Sequence, residues 1–422
     1  MADLPETAPE EQDRLPASTS VEGGPSGAVH PDFWRGRRVL VTGHTGFKGA
    51  WLSLWLHRLG AEVTGFSLGP PTQPSLFALA GLAAAMPNID GDIRDHQAIT
   101  RAVADAAPEV VIHMAAQPMV RRSFAEPRLT YETNVMGTVN LLDAVRLDGR
   151  PRVVVNVTTD KCYENREWEW GYREHEPMGG YDPYSSSKAC SELATAAFRR
   201  SFFADPDGPR LASARAGNVI GGGDWGEDRL VPDIMRAAIG GPALRLRNPN
   251  SIRPWQHVLN PLSGYLLLAQ ALWGSTEFAD AWNFGPPDDD ARTVGWILDR
   301  LAAAWPGGFD WSVDDGPHPH EAQYLKLDSS RARGRLGWRP AVGLDAALRS
   351  IADWHLQLRD AADMRAVTLA QIDEFTGAGG ARGPGGRGEP GGAGGAGGSR
   401  GAGGPGEPGG PGGAGGARGS GM

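Results

Sequence analysis

Two short segments carry side chains that could do acid–base chemistry together. Tyr184-Ser185-Ser186-Ser187-Lys188 sets a phenol and an ammonium four residues apart, hence on one face of a helix. A cation beside a tyrosine favours the phenolate and lowers its pKa, making the phenol a usable base near neutrality. Upstream, Val157-Thr158-Thr159-Asp160-Lys161 closes a β-branched run with hydroxyl, carboxyl and amine groups. Ligands of open α/β sheets sit outside such strand ends. A Tyr and a Lys at this spacing also decorate ordinary helix surfaces, so the pairing with the strand-end segment carries the argument.

A third segment could hold an anion. Arg38 to Thr42 is a short β-branched run that enters Gly43-His44-Thr45-Gly46-Phe47-Lys48-Gly49, and a helix with apolar Trp51, Leu52, Leu54, Trp55, Leu56 and Leu59 follows. Glycines between a strand and a helix let the backbone turn tightly and approach a pyrophosphate, to which the helix N-terminus offers free N–H groups. The context is that of a dinucleotide site. The next strand, Ala61 to Phe66, is followed by Ser67 and lacks the acidic residue that often holds an adenine ribose, so this position does not separate NAD from NADP.

These segments need a scaffold, and the hydrophobic pattern supplies one. Strands are expected at Val110 to His113, Arg152 to Val157 and Leu211 to Ala216, with helices over about 127–147 and 184–203. Strands alternating with helices imply an α/β fold, a Rossmann-type doubly wound parallel sheet covered on both faces. From Gly217 onward the pattern is mixed, as in a smaller mixed α/β substrate domain ending near the helix 344–363. The expected organisation is a disordered leader over 1–32, a dinucleotide domain over 33–217 with a returning segment near 256–284, a second domain over 218–376, and a disordered Gly-rich tail over 377–422. That tail holds 25 of the 60 glycines and repeats an 18-residue unit. Its glycine register breaks at Arg382, Arg400 and Arg418, which favours a flexible chain over a collagen helix.

The net charge of −9 argues against nucleic acid or an anionic membrane as a partner. Two cysteines, Cys162 and Cys190, exclude a disulfide scaffold, and no His, Asp or Glu grouping has metal-ligand spacing. No apolar run reaches the length of a membrane span. With no signal-like start, the expected location is cytoplasmic.

The glycine loop, strand-end Thr159 and Tyr184-x-x-x-Lys188 together resemble the extended short-chain dehydrogenase/reductases, in particular the NAD-dependent epimerase/dehydratase family. The stretches 41–49, 159–163, 216–225 and 253–258 are similar to the CDP-glucose branch of its 4,6-dehydratases, and the resemblance covers about 33–358. Relatives acting on other sugar nucleotides carry Thr-Asp-Glu where this chain has Thr159-Asp160-Lys161. The resemblance implies NAD as cofactor, a sugar nucleotide as substrate and a homo-oligomer. Tyr184 with Lys188 would take the proton of the sugar 4-hydroxyl while Thr159 orients that oxygen. Asp160, its pKa raised by burial, would protonate the departing C6 hydroxyl. Lys161 would act as base at C5 or steady an enolate. Gly43, Thr45, Gly46, Phe47, Lys48 and Gly49 would hold the cofactor, together with Asp92 and Ile93 on the adenine and Ala115, Ala116 and Gln117 along its length. Asn134 matches a helix Asn near the site. Asn218 and Arg253 would bind the diphosphate, Arg229 another part of the substrate and Glu321 the nucleotide ribose, whereas His318 stands where relatives often have a phosphate-binding Arg.

Overall fold

A computed structural model describes residues 27–377 apart from 242, 247, 310, 315 and 317–324. Glu321, His318, nearly all of the expected leader and the expected tail beyond Gly377 lie outside the described residues.

Seven parallel strands form the main sheet: β1 (Arg38–Thr42), β2 (Glu62–Ser67), β3 (Asn88–Asp90), β4 (Val110–His113), β5 (Val153–Val157), β6 (Arg210–Arg215) and β7 (Ala281–Asn283). Their order is β7-β6-β5-β4-β1-β2-β3. Strand order reverses between β1 and β4, so a crevice opens at their carboxyl ends. The central strands are runs of Val, Ile and Leu because both of their faces are buried. Alternate side chains divide between the faces. Val39, Val41, Ile112, Val155 and Val157 meet α1 (Phe47–Arg58) and α5 (Leu259–Gly274). Leu40, Val111, Val154 and Leu211 meet α2 (His96–Ala106) and α3 (Gly137–Asp148). α5 is apolar around nearly its whole circumference, as a helix buried on all sides must be. A further apolar cluster joins Ile234, Met235, Leu246, Trp255, Ile297, Leu301 and Ile351 beyond the sheet.

Four elements differ from the sequence-based expectation. β3 is too short to stand out, and α2, an amphipathic helix burying Ile99, Ala102 and Val103, is absent from the expectation. The single helix expected over 127–147 holds a π turn at Glu132–Met136. The tyrosine-bearing helix α4 runs Pro183–Ser201, capped by the Asp182 carboxylate accepting from the Ser185 N–H at 3.0 Å. After α6 (Leu344–Arg359) comes another helix, α7 (Met364–Thr376), absent from the expectation.

α7 closes over α1: Phe375 packs edge-on to Trp55 at 5.4 Å, and the Thr368 hydroxyl accepts from the Trp354 indole at 3.0 Å. A chain ending at Gly377 keeps every described contact, and its melting temperature is expected within about 2 °C of the full chain's. A chain ending at Asp363 uncovers both tryptophans and is expected to lose about 3–6 kcal/mol, the burial of two or more large side chains. Denaturant unfolding of the two truncations checks this; equal midpoints would contradict the packing role of α7.

Candidate active site

The glycine loop is shaped by close approach. Gly43 has φ +74°, and a Cβ there would lie 2.7 Å from the Ala115 amide nitrogen. The Thr42 hydroxyl ties the two strand ends together, accepting from the Met114 and Ala115 N–H groups at 3.1 and 3.2 Å. A Cβ on Gly49 would stand 2.2 Å from the Gly43 carbonyl oxygen, so only glycine lets α1 start so near the strand. Gly46 is the N-cap of α1 and offers no side-chain cap, which leaves the helix N-terminus facing a cleft of about 880 Å³. An open helix N-terminus framed by bare glycine backbone fits the diphosphate of a dinucleotide.

That cleft is lined by every residue assigned to the cofactor from sequence: Gly43, Thr45, Gly46, Phe47, Lys48, Gly49, Asp92, Ile93, Ala115, Ala116 and Gln117, with Tyr184 and Lys188. Thr45 faces the end of β2, its hydroxyl 2.9 Å from both Ser67 Oγ and the Leu68 carbonyl oxygen. Asp92 is held by Arg94, whose guanidinium keeps the carboxyl below its ordinary pKa. The Gln117 side chain is engaged by the protein, donating to Thr130 Oγ1 at 2.9 Å. Its backbone is clamped by Asn134, which accepts from the Gln117 N–H at 2.8 Å and donates to its carbonyl at 3.0 Å. The same amide donates to Ser187 Oγ at 2.8 Å. Asn134 sits within the π turn, a kind of bulge frequent at functional sites. Asn134 therefore joins the β4 loop to α4 and supports the site from behind.

At the end of β5, Thr159 stands beside the Tyr184 phenol, whose pKa it lowers, and donates to Asp160 Oδ1 at 2.9 Å. Asp160 is only 2 % exposed, and its second oxygen has no protein partner. Burial raises its pKa, against the pull of Lys161, Thr159 and Arg253. A buried carboxyl with one free oxygen can be a proton donor. Lys161 is half-buried beside it. Lys188 donates to the Val157 carbonyl oxygen at 3.3 Å, and burial lowers its pKa to about 8. The expected depression of the tyrosine pKa does not hold in the protein alone. Burial pushes Tyr184 up to about 12, while Thr159 and Arg229 oppose the shift. Desolvation of the phenolate outweighs the neighbouring donors.

The substrate-side residues divide. Arg229 lines the cleft, held by Asp224 at 3.1 Å, and its charge reaches Tyr184. Arg253 stands close enough to Asp160 to lower its pKa, with Nη1 donating to the Ile252 carbonyl at 2.9 Å. Asn218 follows β6 with φ +49°, its carbonyl accepting from the Gln256 N–H at 3.2 Å; neither Asn218 nor Arg253 lines the cleft. Sequence reasoning missed Asp224 as the holder of Arg229, although Gly223-Asp224-Trp225 was in view. It also missed Gly217: a Cβ there would lie 1.8 Å from Asp160 Oδ2. Among the described residues no three His, Cys, Asp or Glu side chains converge to hold a metal ion, and no helix is long and apolar enough to cross a membrane.

A doubly wound sheet, a glycine loop under an open helix end and a Thr-Tyr-Lys set beside it define an extended short-chain dehydrogenase/reductase. The profile of the GDP-mannose 4,6 dehydratase family matches residues 40–273. The CDP-glucose 4,6-dehydratase of Salmonella typhimurium is 53 % identical over 352 residues, covering 82 % of this chain and 98 % of that protein. The UDP-glucose 4-epimerase of Thermus thermophilus, solved with NAD, superposes with a TM-score of 0.66 at 26 % identity, over 76 % of this chain and 99 % of that one. The dTDP-glucose 4,6-dehydratase of Bacillus anthracis, also solved with NAD, shares the fold with a TM-score of 0.66 at 19 % identity, over 78 % and 99 %. The chain belongs to this dehydratase family.

Gly217→Ala must displace the Asp160 carboxyl and is expected to lower kcat at least about 100-fold, the scale of a lost general acid. Cofactor affinity, measured by fluorescence quenching, should stay within about twofold. Wild-type turnover in this variant would show that the Asp160 position is not critical.

Proposed function

We propose that this chain dehydrates CDP-D-glucose to CDP-4-dehydro-6-deoxy-D-glucose with NAD as cofactor, a hydro-lyase reaction. The observation that carries the reading is the buried Asp160 carboxyl, its pKa raised by burial and one oxygen without a protein partner, next to Thr159 and Tyr184. An epimerase needs the tyrosine and the lysine but has no use for an acid there. The choice of nucleotide is supported by the likeness to the Salmonella typhimurium enzyme and by Lys161 following Asp160.

Tyr184 takes the proton of the sugar 4-hydroxyl, and Thr159 holds that oxygen in line. Lys188 keeps a positive charge behind the phenolate. The glycine loop and the α1 N-terminus would hold NAD, which when bound would supply hydride transfer from C4 and back to C6. The 4-ketone acidifies the C5 proton, which leaves with the help of Lys161. The C6 hydroxyl then takes the Asp160 proton and departs as water. Asn218 and Arg253 are assigned to the substrate diphosphate, Arg229 to another part of the substrate and Glu321 to its ribose, so the substrate side is drawn mainly from residues 218–376. A cytoplasmic homo-oligomer fits the family resemblance.

A panel of nucleoside-diphosphate glucoses, with products identified by mass, tests the proposal. CDP-glucose is expected to give a product lighter by one water, and at a higher kcat/KM than the UDP, dTDP and GDP sugars. An unchanged mass with altered C4 configuration would contradict it. In the same assay Lys161→Ala should slow elimination about 10²–10⁴-fold. Solvent deuterium at C5 should appear correspondingly more slowly; normal turnover would remove Lys161 from the reaction.

A further inference from the structure

Behind the site lies a buried ion pair that the reaction scheme does not use. Glu192 and Arg215, each 4 % exposed, form a two-pronged bridge, with Arg215 Nε to Glu192 Oε1 and Nη2 to Oε2 both at 2.9 Å. Each carboxylate oxygen also accepts a hydroxyl: Thr158 Oγ1 donates to Oε1 at 2.5 Å and Ser213 Oγ to Oε2 at 2.6 Å. Arg215 further donates to the Tyr163 phenol at 2.6 Å, and that phenol donates to Asn283 Oδ1 at 2.8 Å. One carboxylate thus joins α4 to β5 and β6, and through Arg215 to β7.

The placement of these bonds matters. Lys188 and Glu192 lie one turn apart on α4 and grip consecutive residues at the end of β5, Lys188 the Val157 carbonyl and Glu192 the Thr158 hydroxyl. Thr159 is the next residue along, and Tyr184 lies one turn before Lys188 on the same helix face. We infer that Glu192, clamped by Arg215, is a positioning residue of this enzyme: it sets the register of α4 on the end of β5 and so the spacing of Tyr184 and Thr159. A second consequence follows from its charge. Lys188 is faced by Tyr184 and Glu192 on its own helix, by Lys48 from α1, by His113 from β4 and by Cys162 from the turn after β5. Lys48 carries like charge and burial starves the ammonium of water, so Glu192 is the carboxylate among these neighbours that supports it. Burial alone would raise the Glu192 pKa, but Arg215 and the two hydroxyl donors outweigh it and keep the carboxylate ionised.

The test compares Glu192→Gln, which keeps shape and removes charge, with Glu192→Asp, which keeps charge. The double variant Glu192→Gln/Arg215→Gln leaves no lone guanidinium in the core and serves if Glu192→Gln does not fold. Acetylation of Lys188 by acetic anhydride as a function of pH, read by peptide mass spectrometry, gives the lysine pKa without any substrate. Removing the anion disfavours the ammonium, so the Gln and double variants should titrate about one unit lower than wild type. Glu192→Asp should stay near wild type. In turnover of CDP-glucose, kcat per folded protein should fall about 10–100-fold in the Gln variants with KM little changed. The alkaline limb of its pH profile should move down with the lysine, and Glu192→Asp should recover part of the rate. A Lys188 titration and a kcat that match wild type in both Gln variants, with only the melting temperature lowered, would overturn the inference. The kinetic arm rests on the proposed dehydratase reaction. Failure of the wild type to release water from any nucleotide glucose would defeat that reading, whereas the labelling arm decides the role of Glu192 independently.

Discussion

The site depends on how one helix is seated on one strand end. α4 is fastened to the last residues of β5 by a lysine–carbonyl bond of 3.3 Å and a carboxylate–hydroxyl bond of 2.5 Å. Both are buried, so neither competes with water, and a slip of α4 would leave charged groups unpaired in a dry interior. This makes the register discrete. Given it, the Tyr184 phenol meets Thr159, Asp160 falls beneath Gly217, and Lys188 comes to the cleft wall. The other half of the cleft is fixed separately, where the Thr42 hydroxyl ties β1 to the loop after β4 and Asn134 ties that loop to α4.

Burial then sets the protonation states. The acids in the site, Tyr184 and Asp160, are pushed toward their neutral forms, while Lys48 and Lys188 are pushed down to about 8. One physical cause, desolvation, acts in opposite directions on the two kinds of group. The result is a phenol on the cleft wall that takes a proton only with help from surrounding cations, and a buried carboxyl behind it that can give one. That division of labour suits an oxidation followed by loss of water.

Much of this was legible in the residues, and the limits are physical. Runs such as Val-Val-Ile-His and Val-Val-Val-Asn-Val announce buried strands because both their faces are covered. The glycine loop and the Tyr-x-x-x-Lys spacing are local patterns, and the structure brings their residues to one cleft. β3 has three residues with an exposed first and last position, too little pattern to register. The Glu192–Arg215 pair joins residues 23 apart on a helix and a strand, with no periodicity linking them. Nothing local marks Gly217 as special, and its need to be bare is a property of the Asp160 carboxyl packed on it. The direction of the Tyr184 shift was misjudged because spacing reveals the nearby lysine but not the depth of burial.

In the proposed reaction, oxidation at C4 and reduction at C6 occur in one site around Tyr184, Thr159 and Asp160. CDP-glucose carrying deuterium at C4 tests it most directly, with the product analysed by mass and NMR. The label is expected to move from C4 to C6 within the same sugar without exchanging with solvent. Deuterium found still at C4, or lost to water, would contradict it.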